Sequence, residues 1–89
     1  MLPTVTFTPT PTVLPLDGND AYAYHNRGYS YAELGEYQRA IKDYDKAIQL
    51  DPNYASAYYH RGFAYDELGE HQRAIKDHDK ACSLDSQFC

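Results

Sequence analysis

The sequence predicts an all-α fold: an α-solenoid of two stacked helix-turn-helix hairpins behind an extended leader. Three observations carry this. A 34-residue block occurs twice in tandem, at 21–54 and 55–88, with 21 of 34 positions identical. Each block splits into two apolar stripes at helical spacing, separated by a glycine. Strand-like alternation is confined to the leader. A fixed period of this size marks a stacked-repeat architecture, in which each unit buries its apolar face against its neighbours.

Residues 1–19 form the leader. Thr occupies positions 4, 6, 8, 10 and 12, and Pro occupies 3, 9, 11 and 15. Proline removes donors and biases its predecessor to extended geometry, so this segment reads as a semi-extended linker. If extended, it turns its Thr side chains one way and Val5, Phe7 and Val13 the other, an edge able to dock on an apolar groove. Residues 20–89 form the domain. In the first helix Ala21, Tyr24, Gly28, Tyr31 and Leu34 make one stripe, with Asn19 as N-cap and Asp20 in the first turn. Gly35 supplies the left-handed residue that ends it. The second helix carries Tyr37, Ala40, Ile41, Tyr44, Ala47 and Ile48, and Asp51-Pro52-Asn53 stops it. The second unit repeats this through Tyr58, Gly62, Tyr65, Leu68 and Gly69, then Ala74, Ile75, Ala81 and Leu84. Four helices are expected over 20–85, with breaks near Gly35, Pro52 and Gly69.

Composition narrows the function. A chain of 89 residues with net charge −5 has no electrostatic footprint for phosphate backbones or anionic lipid, so neither nucleic acid nor a membrane surface is an expected partner. No apolar run approaches a membrane span. Two cysteines, Cys82 and Cys89, are too few for a disulfide framework. Cys82 is expected in a buried interface and Cys89 as a reactive terminal thiol. The Thr/Pro leader hints at a module of an exported or surface protein, without fixing a compartment.

Tyr24-x2-Arg27-Gly28-x2-Tyr31, Ala40-x3-Tyr44, Ala47 and Pro52 recur as Tyr58-x2-Arg61-Gly62-x2-Tyr65, Ala74-x3-His78, Ala81 and Ser86. This pattern resembles the tetratricopeptide repeat family over residues 21–88. The resemblance implies paired helices whose first members line a concave, peptide-binding face. Its groove positions fall on Tyr22, His25, Asn26, Tyr29, Ala32 and Glu33, then Ser56, Tyr59, His60, Phe63, Asp66 and Glu67. That surface is aromatic at one level and acidic at the helix ends. One subset of the family clamps the C-terminal carboxylate of heat-shock chaperones with Lys, Asn and Arg. Only Asn26 matches a clamp residue at its position, which argues against that activity.

Arg27 and Arg61 stand where the family usually has Leu. Asp43 and Asp45 lie opposite in the first repeat, Asp77 and Asp79 in the second, so each hairpin carries an Arg–Asp pair whose acid sequence alone does not choose. On this reading Arg27→Leu is expected to be tolerated. His71, His78 and Cys82 share one stripe and could be thought metal ligands. Their counterparts Tyr37, Tyr44 and Ile48 are core positions, and one helix supplies only three ligands, so the stripe is read as packing. No catalytic order or phosphate loop stands out, and neither enzyme activity nor a cofactor is expected. The expected function is a protein interaction scaffold binding an extended peptide on the aromatic groove. The alternative is an assembly module, or a fragment of a longer array, that associates through the open face of the last helix, at His71, Ile75, His78 and Cys82.

Overall fold

The computed structural model describes residues 19–89. The expected extended edge of the leader, with Val5, Phe7 and Val13, lies outside the described residues. Four α-helices follow in order: α1 (Ala21–Glu33), α2 (Tyr37–Leu50), α3 (Ala55–Glu67) and α4 (His71–Leu84). A short 3₁₀ turn, Ser86–Phe88, closes the chain. Among the described residues there is no strand. The expected breaks fall at Gly35, Pro52 and Gly69.

Each terminus has a local cause. Asp20, rather than Asn19, caps α1: its carboxylate accepts from the Tyr22 and Ala23 amides at 3.0 and 3.3 Å. Asp has the shorter route, because Asn19 would have to start the helix one residue earlier. At the hairpin turns Gly35 and Gly69 sit at φ 77° and 80°. Both turns show the same paired closure. The Gly35 amide donates to Ala32 and that of Glu36 to Tyr31, each at 2.9 Å. The second repeat does the same with Gly69 to Asp66 and Glu70 to Tyr65, at 2.9 and 2.8 Å. This two-bond ending needs a left-handed residue, which glycine adopts without a Cβ penalty. Between repeats, the Asn53 amide bonds the Asp51 carboxylate at 3.1 Å. Gln87 and Asp85 reproduce that turn at 3.0 Å, so Ser86 replaces Pro52 without changing it.

The helices pack in sequence: α1 on α2, α2 on α3, α3 on α4. Close approach is made by small residues. Ala40, Ala47, Ala57, Ala64, Ala74 and Ala81 are buried. A Cβ placed on Gly28 would lie 2.8 Å from the Tyr44 ring and 3.1 Å from the Ala40 carbonyl oxygen. At Gly62 it would lie 2.6 Å from the His78 ring. Both glycines are therefore fixed by space, as their place on the apolar stripes suggested.

Arg27 resolves the choice left open by the sequence. Its Nε and Nη2 each donate to Asp43 at 2.8 Å. Arg61 grips Asp77 in the same bidentate way, at 2.8 and 2.7 Å. It also reaches Asp45 of the preceding repeat through Nη1 at 2.8 Å. The guanidinium groups lie near tyrosine rings, Arg27 by Tyr24 and Tyr31 and Arg61 by Tyr58 and Tyr65. Asp43 and Asp77 are each only 4% exposed. This corrects the expected tolerance of Arg27→Leu, since leucine would strand a buried carboxylate.

The cysteines also depart from expectation. Cys82 and Cys89 are joined as a disulfide, so neither is free. Seven residues apart, they are brought together by the 3₁₀ turn that folds back on α4. Of the residues expected on the associating face, Cys82 and His78 are half-buried, and His71 and Ile75 are exposed.

Candidate functional site

The first helix of each hairpin presents a row of rings. Tyr29 follows the buried Gly28 on α1, and Phe63 follows the buried Gly62 on α3. Tyr29, Phe63 and Tyr59 are 47%, 52% and 39% exposed, although all three are large and apolar. Between them lies a concavity of about 270 Å³. Tyr29, Ala32 and Glu33 of α1 line it, with Tyr59, His60 and Phe63 of α3 and Tyr44 of α2 at the back. The His60 ring stands edge-on to both Tyr29 and Tyr59, at 5.6 and 5.4 Å. It holds the two walls apart and gives the concavity its shape.

Of the twelve groove positions expected from sequence, six come together here: Tyr29, Ala32, Glu33, Tyr59, His60 and Phe63. Tyr22 and Asn26 are exposed on α1 but do not line the concavity. Asp66 accepts from or pairs with His71 Nδ1 at 2.8 Å across the α3–α4 turn. His25 and Ser56 do not line the concavity either; they form a contact between repeats. His25 is 8% exposed. Its ring packs on Tyr44 and Tyr54, and its Nε2 lies 3.1 Å from Ser56 Oγ and 3.3 Å from His60 Nδ1. The Ser56 carbonyl, 2.7 Å from His60 Nδ1, can only accept. His60 Nδ1 is therefore the donor to that carbonyl, and the Ser56 hydroxyl is the hydrogen-bond partner of His25 Nε2. The other ring nitrogen of His25, Nδ1, is buried without a hydrogen-bond partner. Burial above all, and then the neighbouring His60, holds the His25 pKa down at about 4 against the pull of the nearby Asn26 side chain.

Sequence reasoning missed Tyr44 as a site residue. It is wholly buried, and its hydroxyl has no hydrogen-bond partner. Burial first, then Tyr29, Asp43 and Glu33, pushes its pKa up, so it stays a neutral phenol. Its place on the α2 stripe, with Tyr37, reads as core, and its counterpart in the second repeat is His78.

The Phe88 ring lies on Tyr59 at 5.0 Å and 34°, as Tyr54 lies on His25 at 5.1 Å and 33°. The second repeat thus reproduces the inter-repeat stack with its own C-terminal residues. Among the described residues no group of three metal-ligating side chains is placed to hold an ion; His71 pairs with Asp66 and Cys82 with Cys89.

Tandem antiparallel hairpins with small residues at the contacts and a ring-lined concave face define a helical-repeat scaffold. The chain belongs to the tetratricopeptide repeat family. Three models of this repeat match it, over residues 28–69, 55–88 and 12–42. MamA, known from crystal structures, shares 40% sequence identity with a TM-score of 0.79, over 82% of this chain and 43% of that one. The Arabidopsis OM64 TPR domain shares 35% with a TM-score of 0.78, over 80% of this chain and 59% of that one. The second TPR domain of human RPAP3, solved in complex with the HSP70 peptide SGPTIEEVD, shares 34% with a TM-score of 0.76, over 79% and 58%. The chain thus spans about half the length of these structures. No curated protein sequence matches it significantly. Family and neighbours support a protein–protein interaction module, of a kind that is typically a scaffold rather than an enzyme.

Proposed function

We propose that the chain binds an extended segment of a protein partner in the concavity between α1 and α3. The observation that carries this reading is the exposure of Tyr29, Tyr59 and Phe63 around one depression. Large rings left open at a concave surface are the usual anchors of binding energy, because they bury much area with little loss of rotamer freedom. Individually exposed apolar residues need no explanation, but three around one hollow do. The RPAP3 domain, which shares this fold, was solved with a peptide bound. Replacing Tyr29, Tyr59 and Phe63 together by Ala should abolish capture of the native partner. Phe63→Ala alone should weaken it with helical circular dichroism intact. Unchanged capture by the triple variant would refute the groove.

A second reading, head-to-tail self-association, is favoured by the ion pair between repeats. Arg61 holds Asp45 of the preceding repeat. The equivalent partners, Arg27 and Asp79, make no such bond among the described residues. Ile75 is 56% exposed, whereas its counterpart Ile41 is half-buried beside α3. A second copy stacked so that its Arg27 meets Asp79 would repeat the internal contact. Sedimentation over a wide concentration range tests this: association should occur in the native chain and vanish in Ile75→Asp, and a monomer throughout would eliminate it.

A further inference from the structure

We propose that the concavity selects a cationic side chain, arginine or lysine, in the peptide it binds, with the charge set between the Tyr29 and Phe63 rings and the Glu33 carboxylate. This rests on the groove reading above and names the chemistry of its occupant.

Two features of the hollow point the same way. Its walls are the rings of Tyr29, Tyr59 and Phe63, whose π-faces attract cations. Glu33 is its charged residue, and no Lys or Arg lines it. Arg27 and Arg61, the nearest cations of the first helices, are tied to Asp43, Asp77 and Asp45. Glu33 itself makes no ion pair among the described residues.

Size and charge narrow the occupant further. About 270 Å³ falls just below the usual range for small-molecule pockets and suits a single long side chain. A net charge of −5 steers basic segments towards the chain. An acidic tail such as the peptide seen on RPAP3 would instead set carboxylates against Glu33, with no cation in the hollow to answer them.

The test uses the full chain, labelled with ¹⁵N, and three peptides. Two are short, acetylated and amidated, identical except for arginine or its neutral isostere citrulline at the centre between two prolines. The third is SGPTIEEVD. The arginine peptide should shift the amides of Tyr29, Glu33 and Phe63 and bind about tenfold more tightly than the citrulline peptide. Glu33→Gln, an exposed change that leaves the helices intact, should bring arginine down to the citrulline level. Equal affinity for arginine and citrulline at these residues would overturn the charge selection while leaving the groove in place. Tighter binding of SGPTIEEVD would overturn it as well. No shift at the concavity with any peptide would also overturn it; capture of the native partner by the triple alanine variant then decides separately whether the groove itself stands.

Discussion

The two repeats are nearly the same sentence read in two surroundings. Inside each hairpin the match is close: Arg27–Asp43 and Arg61–Asp77 have the same bidentate geometry within 0.1 Å. Their glycine turns close with the same pair of hydrogen bonds. The divergence is on the stacking side. Tyr44 is wholly buried, while its counterpart His78 is half-buried. Ile48 has become Cys82, tied to Cys89. Tyr37 is half-buried and His71 open. Interactions within a hairpin are thus fixed by the block itself, and those between hairpins by what lies next to it. This is the division expected of a quasi-one-dimensional array.

The largest expected effect tests the part the repeats share. Arg61→Ala should destabilise the chain by about 3–5 kcal/mol, because it strands the buried Asp77 and also frees Asp45. Arg27→Ala should do less, having one acid to strand and a more exposed guanidinium. Arg27→Leu combined with Asp43→Leu should recover most of the loss. Chemical denaturation checks all three, and equal damage from Arg27→Ala and Arg61→Ala would deny the contribution of the inter-repeat pair.

A smaller effect probes the divergence. Alanine gains roughly 1 kcal/mol of helix propensity over glycine. At Gly28 that gain is opposed by the immovable Tyr44 ring and the Ala40 carbonyl, so Gly28→Ala should cost about 2 kcal/mol. At Gly62 the obstacle is chiefly the half-buried ring of His78, which can turn away. Gly62→Ala should therefore be the milder change, and the reverse order in thermal melts would break the contrast.

The third effect depends on pH and belongs to the first repeat alone, where His25 stands in the place of Tyr59. Its folded pKa, about 4, lies below the ordinary 6.5, so the unfolded chain takes up a proton that the folded chain refuses. The resulting stability is fully present above about pH 6.5 and is lost as pH falls towards 4. The groups facing His25 are His60 and Ser56 of α3, Tyr44 of α2 and Tyr54. None is a carboxylate that would offset the shift. The loss should reach about 2 kcal/mol once solvent screening is allowed for. Melting curves of His25→Gln should be flatter over this interval, and an identical pH profile would place the titration elsewhere.

How much of this could be read beforehand follows the same division. Helices, breaks, the left-handed Gly35 and Gly69, and the close approaches at Gly28 and Gly62 were legible because each is set within a 34-residue block. The choice between Asp43 and Asp45 was not, since both lie on the facing helix, and both kinds of pair form. His25 looked like a groove residue from its place in the repeat, but it is covered from the side by Tyr54 and α3. The Cys82–Cys89 bridge was illegible because a count of two cysteines says nothing of a turn that brings them together. Tyr44 looked like plain core, and its unpartnered hydroxyl emerges only from the packing around it.

The groove on α1 and α3 and the outer face of α4 make opposite claims on function, and one measurement separates them. A photoreactive benzoylphenylalanine is placed at Phe63 in one variant and at Ile75 in another, and each is irradiated in extract of the cells that make the protein. The groove account predicts a discrete adduct with a different protein from position 63, suppressed by excess arginine peptide, and none of comparable yield from position 75. Adducts arising only from position 75, and joining two copies of this chain, would contradict it.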